Sequence, residues 1–129
     1  MRKILFIATL MLSSLSYGGP TKEQFINACD SLGIHHAEVV WAQARLESGN
    51  FTSAHFRNRN NCLGIYDSKR KRYASFVSWK DCLVAYRDRV QYRCKTRNCT
   101  DAEYIQWLIK IGYASDPTYK GKIQKMMKE

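Results

Sequence analysis

Glu47 is the residue whose position most suggests chemistry. It lies in the stretch V-V-W-A-Q-A-R-L-E-S-G-N from Val39 to Asn50. Val39, Val40, Gln43, Ala44, Leu46 and Glu47 recur at three- and four-residue steps, and Gly49 offers a left-handed stop. The spacing predicts a helix with Glu47 in its last turn. A carboxylate there faces the negative end of the helix dipole, which disfavours it by about 0.3–1 kcal/mol. That field, with partial burial, favours the protonated form. A carboxyl that keeps its proton near neutrality is what a general acid requires. The competing reading is a solvated surface glutamate with no chemical role.

No rival chemistry is legible. The chain has no G-x-S-x-G elbow, no P-loop and no H-E-x-x-H helix. There is no C-x-x-C, and His35 and His36 are adjacent rather than three or four residues apart, so neither a zinc site nor a cofactor is expected. Both histidines read as ordinary surface residues. What remains near Glu47 is an Asn-rich loop, a short hairpin and many aromatics. Rings stack on sugar faces and amides serve hydroxyl and acetamido groups, so these residues suit a sugar polymer. Most helix aromatics, with Trp41, Trp79 and Trp107 among them, read as core.

The elements that must position these groups are mainly helical. Thr21-Lys22-Glu23-Gln24 forms a capping box that starts a first helix burying Phe25, Ile26, Cys29 and Leu32 and ending near Gly33. The helix of Glu47 spans about 36–48. Residues 50–61 read as a loop with one helical turn, pinned by Phe51 and Phe56. Strands at 62–66 and 72–77 flank the turn Asp67-Ser68-Lys69-Arg70-Lys71 and predict a small basic-tipped hairpin. Ser78 starts a helix to about Arg93 with Leu83, Tyr86 and Val90 inward. Thr100-Asp101-Ala102-Glu103 starts another, burying Tyr104, Ile105, Leu108 and Ile109 and ending at Gly112. Asp116-Pro117 reads as an N-cap and first helical position, with Ile123 and Met127 facing in.

The chain of 129 residues allows one domain. Its basic start Met1-Arg2-Lys3, apolar run Ile4–Leu12 and small polar Ser13–Gly19 predict a signal peptide over 1–18 and a domain over 19–129. The protein is therefore expected to be exported, periplasmic or secreted, without stable membrane insertion, and monomeric. The formal charge is +10, and +8 once Arg2 and Lys3 are gone. Such a charge favours an anionic partner, and export makes nucleic acid the least fitting one. All five cysteines lie in the exported part, where disulfides are permissible. Cys94 and Cys99 flank a polar turn between helices and are expected to be bridged, whereas the sequence does not pair Cys29, Cys62 and Cys82.

Three ordered blocks then resemble one family. Gln43-Ala44-Arg45-Leu46-Glu47-Ser48-Gly49 resembles the A-x-x-x-E-S-G block of bacterial glucosaminidase domains of glycoside hydrolase family 73. Asn60-Asn61-Cys62-Leu63-Gly64-Ile65 is similar to its N-N-L-F-G-I segment, followed by Tyr73-Ala74-Ser75-Phe76 with Ser78 and Tyr86. Gly112-Tyr113-Ala114-Ser115-Asp116-Pro117-Thr118-Tyr119, then Lys122-Ile123, is similar to G-Y-A-T-D-P-x-Y-x-x-K-I.

The resemblance implies a mostly α fold with a small β-hairpin (α+β), lysozyme-like, an α lobe and a reduced β lobe around a groove. It implies a glycoside hydrolase of the endo-β-N-acetylglucosaminidase type that cuts the β-1,4 bond after N-acetylglucosamine in peptidoglycan glycan strands. Glu47 is then the general acid, and Tyr113 lines the catalytic centre. Ser53 and Asn61, with Tyr66 and Tyr73 at the hairpin, are the substrate-binding candidates. The chain also departs from the family. Asn50-Phe51 stands where Trp-Gly is usual, and the hairpin is cut to residues 66–73 with Asp67 as its only acid. Two-carboxyl mechanisms need separations of roughly 5–5.5 or 6.5–9.5 Å. The readings left open are Asp67 as second catalytic acid, a substrate acetamido nucleophile, lytic-transglycosylase-like cleavage by Glu47 alone, and a glycan-binding module without catalysis.

Overall fold

Helix α2, Ala37–Glu47, carries the heart of the core: Val39, Val40, Ala42 and Ala44 are all fully buried. In this computed structural model, residues 19–94 and 98–129 are described. The expected leader lies outside them. α1, Lys22–Leu32, packs on α2. It starts at the capping box of Thr21 and Gln24 and stops at Gly33, whose φ of 73° supplies the left-handed cap. Its Phe25 ring lies 5.1 Å from Trp41 and stacks 5.8 Å from Trp79, while Ile26 and Leu32 are half-buried. The three tryptophans are half-buried against the core.

After α2 come α3 (Ala54–Arg59), β1 (Tyr66–Asp67), β2 (Arg72–Tyr73) and α4 (Trp79–Arg89). A 3-10 turn at Gln91–Arg93, α5 (Asp101–Lys110) and α6 (Tyr119–Met127) complete the order. α6 packs closely on α2 and brings fully buried Ile123 into the core. Leu83, Tyr86 and Val90 face inward as expected, and α5 has its capping box at Thr100 and Glu103. The class is α+β, mostly helical with one two-stranded antiparallel sheet, consistent with a lysozyme-like fold. Among the described residues no helix is long and apolar enough to cross a membrane.

Several expectations are corrected. The strands are two residues each, pairing Tyr66 with Tyr73 and Asp67 with Arg72. Gly64, at φ 66°, breaks the first run, and the Asn61 side chain takes over the bonds a longer ladder would make. Ile109 is 39% exposed, off the buried stripe of Tyr104, Ile105 and Leu108. α6 begins later than Pro117, because Asp116 accepts from the Thr118 N–H at 2.8 Å and forms a turn ahead of the helix.

The histidines are not surface residues of the ordinary kind. The His36 side chain is 8% exposed, its Nδ1 is 2.8 Å from Asp101 Oδ1, and its ring stacks on Tyr104. The His35 backbone is clamped at both its N–H and its carbonyl by the Gln91 side chain. The expected Cys94–Cys99 disulfide is absent. Cys99 Sγ instead lies 3.5 Å from His36 Nε2, so the ring engages that thiol.

Candidate active site

The site is built at the point where α2 stops. Ser48 ends the helix by folding its hydroxyl back: Oγ donates to the Ala44 carbonyl at 2.6 Å and accepts from the Phe51 N–H at 2.8 Å. Gly49, Asn50 and Phe51 then follow in left-handed conformation at φ 59°, 57° and 64°. For the two that are not glycine this costs about 1–2 kcal/mol each. Burial of Phe51 offsets the cost, with its ring 5.5 Å from Trp41 and 5.2 Å from Phe56. Asn50 is also held, its side chain accepting from Arg45 Nε at 2.9 Å. The reversal sends the chain into α3, and His55 Nε2 returns to donate to the Glu47 carbonyl at 2.9 Å. An otherwise unpaired carbonyl at a helix end is thereby satisfied.

Three further segments close on the Glu47 carboxyl. Gly64 approaches so closely that a Cβ there would lie 2.8 Å from Glu47 Oε1. Tyr113, between α5 and α6, donates its hydroxyl to the Leu63 carbonyl at 2.7 Å, tying that connection to the hairpin base. Tyr119, at the start of α6, lines the same cavity as Glu47, and its hydroxyl lowers the carboxyl's pKa. Leu46, Glu47, Tyr113, Asp116, Tyr119 and Lys122 line one cavity of about 370 Å³.

Behind Glu47 runs a buried hydrogen-bond chain whose donors can be read in order. Gln91 Nε2 donates to Tyr104 Oη at 2.9 Å, and Tyr104 donates to Tyr86 Oη at 2.7 Å. Tyr86 donates to Gln43 Oε1 at 2.6 Å, and Gln43 Nε2 donates to Tyr119 Oη at 3.0 Å. Tyr119, its oxygen thus occupied, is left to donate to Glu47. Burial raises the Glu47 pKa above the usual glutamate value, and the Tyr119 bond opposes part of that rise. Burial, then the nearby Tyr119 and Glu47, push the Tyr113 hydroxyl well up, so it stays a neutral donor. A carboxyl inclined to keep its proton, beside neutral phenols in a polar cavity, is equipped to protonate a leaving oxygen.

A comparison with protein families agrees with this geometry. The family model described as glucosaminidase, mannosyl-glycoprotein endo-beta-N-acetylglucosaminidase, matches residues 22–129. The chain belongs to the glucosaminidase family. Membership supports a glycosidase activity of a peptidoglycan-related kind. No curated protein matches the chain.

Within this glucosaminidase domain the residues singled out from sequence fall into separate places. Glu47 and Tyr113 share the cavity. Ser53 is the N-cap of α3, accepting from the Phe56 N–H at 3.2 Å. Asn61 is fully buried, and its amide bonds Ile65 N, Ile65 O and Ala74 O, so it holds the hairpin. Tyr66 and Tyr73 are 56% and 42% exposed and meet edge to face. Tyr73 also stacks on His55 at 4.3 Å, giving an aromatic track from the back of Glu47 to the hairpin. Asp67 does not line the cavity of Glu47. Its carboxylate accepts from the Lys69 and Arg70 N–H groups and from the Arg70 guanidinium at 3.0 Å, bonds that hold its pKa low. Among the described residues no group of histidine, cysteine and acidic side chains could hold a metal ion.

Sequence reasoning missed Tyr119, Gln43, His55 and Asp116 as parts of the site. Gln43 carried a signal: a polar side chain on the inward face of a helix calls for buried partners. Asp116 shares the cavity with Glu47 but is bonded to Lys122 at 2.7 Å and to Thr118, which hold its carboxylate far below the usual range.

Proposed function

We propose that this protein is an exported peptidoglycan hydrolase that cleaves the β-1,4 bond after N-acetylglucosamine, with Glu47 as general acid. Residues 1–18 act as its leader and 19–129 as the working domain. The observation that carries the reading is the setting of Glu47: a partly desolvated carboxyl at a helix end, packed against Gly64 and sharing a polar cavity with Tyr113 and Tyr119. Tyr66 and Tyr73 offer exposed rings for sugar faces, while Ser53 and Asn61 shape the walls from behind.

The surroundings favour a route with one enzyme carboxyl. Asp67 is committed to the hairpin turn and Asp116 to Lys122, so neither stands free opposite Glu47. Glu47 donates its proton to the glycosidic oxygen as that bond breaks. The acetamido oxygen of the same N-acetylglucosamine attacks C1 and forms an oxazolinium ion. Glu47, now a carboxylate, takes a proton from water as the water opens that ring, which yields a reducing end and restores the acid. Tyr113 is placed to stabilise the charge developing at the sugar.

Purified protein is expected to release new reducing ends from peptidoglycan, and Glu47→Gln to release almost none. Equal release by the two would refute the assignment. Mass spectrometry of the fragments should find reducing N-acetylglucosamine. A 1,6-anhydro end would mean transglycosylation, and glycan binding without any cleavage would mean a binding module.

A further inference from the structure

A second cavity lies apart from Glu47. It has a volume of about 680 Å³ and lies against the hairpin, with Tyr66 on its wall. Lys69, Arg70 and Arg72 reach it from the hairpin, and Arg89 reaches it from the last turn of α4. Asp67 is the one acid on its wall, and it is paired with Arg70. Lys69, Arg72 and Arg89 form no ion pair with a carboxylate among the described residues, so the cavity wall carries three uncompensated cations from two elements. Like charges gathered on one wall from two elements make a positive field that favours an anion there. Guanidinium groups favour planar oxyanions, which they grip with paired N–H donors.

We propose that this basic cavity is a subsite for the carboxylates of the peptides that hang from peptidoglycan strands. The proposal rests on the glycan reading above. Its geometry is one of continuity: His55 donates to the Glu47 backbone carbonyl behind the carboxyl and stacks on Tyr73, Tyr73 meets Tyr66, and Tyr66 walls the basic cavity. A strand seated on that track presents its acidic substituents to Lys69, Arg72 and Arg89. The shortened hairpin, which carries no free acid, then serves to select peptide-bearing glycan over bare glycan.

The test uses the full mature chain and sacculi of two kinds, intact and enzymatically stripped of their peptides, the freed glycan strands being coupled to beads so that they still sediment. Co-sedimentation of Glu47→Gln, which binds without cutting, gives affinity for each. The pair Arg72→Gln and Arg89→Gln in that background should lower affinity for intact sacculi by at least about fivefold. Affinity for stripped sacculi should stay unchanged, and unaltered circular dichroism would exclude misfolding. The preference should also fall as salt rises. Equal loss on both sacculi, or no preference in the parent protein, would overturn the subsite. So would an equal loss of binding to a DNA oligonucleotide, which would mark a general polyanion surface. Charge-selective binding by a protein that releases no sugar ends refutes the role of Glu47 and leaves the subsite standing. Cleavage without peptide discrimination refutes the subsite alone.

Discussion

The proposed general acid, Glu47, can give a proton only while protonated, so on that reading activity should fall as pH rises through its folded-state pKa. Burial places that limb above the ordinary glutamate range. The Tyr119 hydroxyl donates to the carboxylate and pulls the value down, so Tyr119→Phe should move the limb to higher pH. A pH–rate profile of kcat/KM checks this, and a limb that moves down would contradict it. Linkage points the same way for stability. A carboxyl whose folded pKa is raised lowers stability as pH climbs from its unfolded value through its folded one. Glu47→Gln should therefore unfold at a higher temperature than the parent at pH 7, with the two converging in acid below both values. Gly64 is the second sensitive residue. Gly64→Ala forces a Cβ to within 2.8 Å of Glu47 Oε1 at a φ of 66°. The backbone alone should lose about 1–2 kcal/mol of stability. Activity should drop further than that loss explains, since the carboxyl itself must move.

At the scale of elements, the hairpin shows how far side chains can replace a sheet. Two residues per strand cannot hold a register, and Asn61 supplies three bonds to the flanking backbone instead. Asn61→Ala leaves those buried groups unpaired and should cost about 1–3 kcal/mol. Chemical denaturation measures the loss, and amide exchange at Ile65 and Ala74 should rise above that of the α2 core. Helix starts at Thr21, Ser78 and Thr100 were legible because a cap is a local contest between a side chain and nearby backbone donors. The strand ends were not, because their length depends on Gly64 yielding to Glu47 and on Asn61 arriving from outside the strand. The start of α6 was misread because Asp116 caps Thr118 in a turn that the Asp-Pro pair disguises as a helix entry.

At the scale of the whole molecule, the site is assembled by packing. α2 brings Glu47 and Gln43, α6 brings Tyr119, and the α5–α6 connection brings Tyr113. Ile123 is fully buried where α6 meets α2. Ile123→Ala should cost about 2–5 kcal/mol. It should also raise the Glu47→Tyr119 separation enough to shift the pH profile in the same sense as Tyr119→Phe, which a structural role confined to stability would not do. The hydrogen-bond chain from Gln91 to Tyr119 crosses α4, α5, α2 and α6, so its direction exists only when all of them are docked.

The sequence by itself determined most of the helices, the caps at Thr21, Ser78 and Thr100, the acid at the end of α2 and the family of the chain. Each of these follows from side-chain period, local hydrogen bonding or an ordered set of motifs, none of which needs distant contacts. Tertiary structure decided the rest. It brought Tyr119 to the Glu47 cavity, turned Asn61 inward, committed Asp67 to its turn and Asp116 to Lys122, and set Cys99 beside His36. These outcomes depend on which buried polar groups find one another once the chain is packed, and such pairings join residues far apart in sequence.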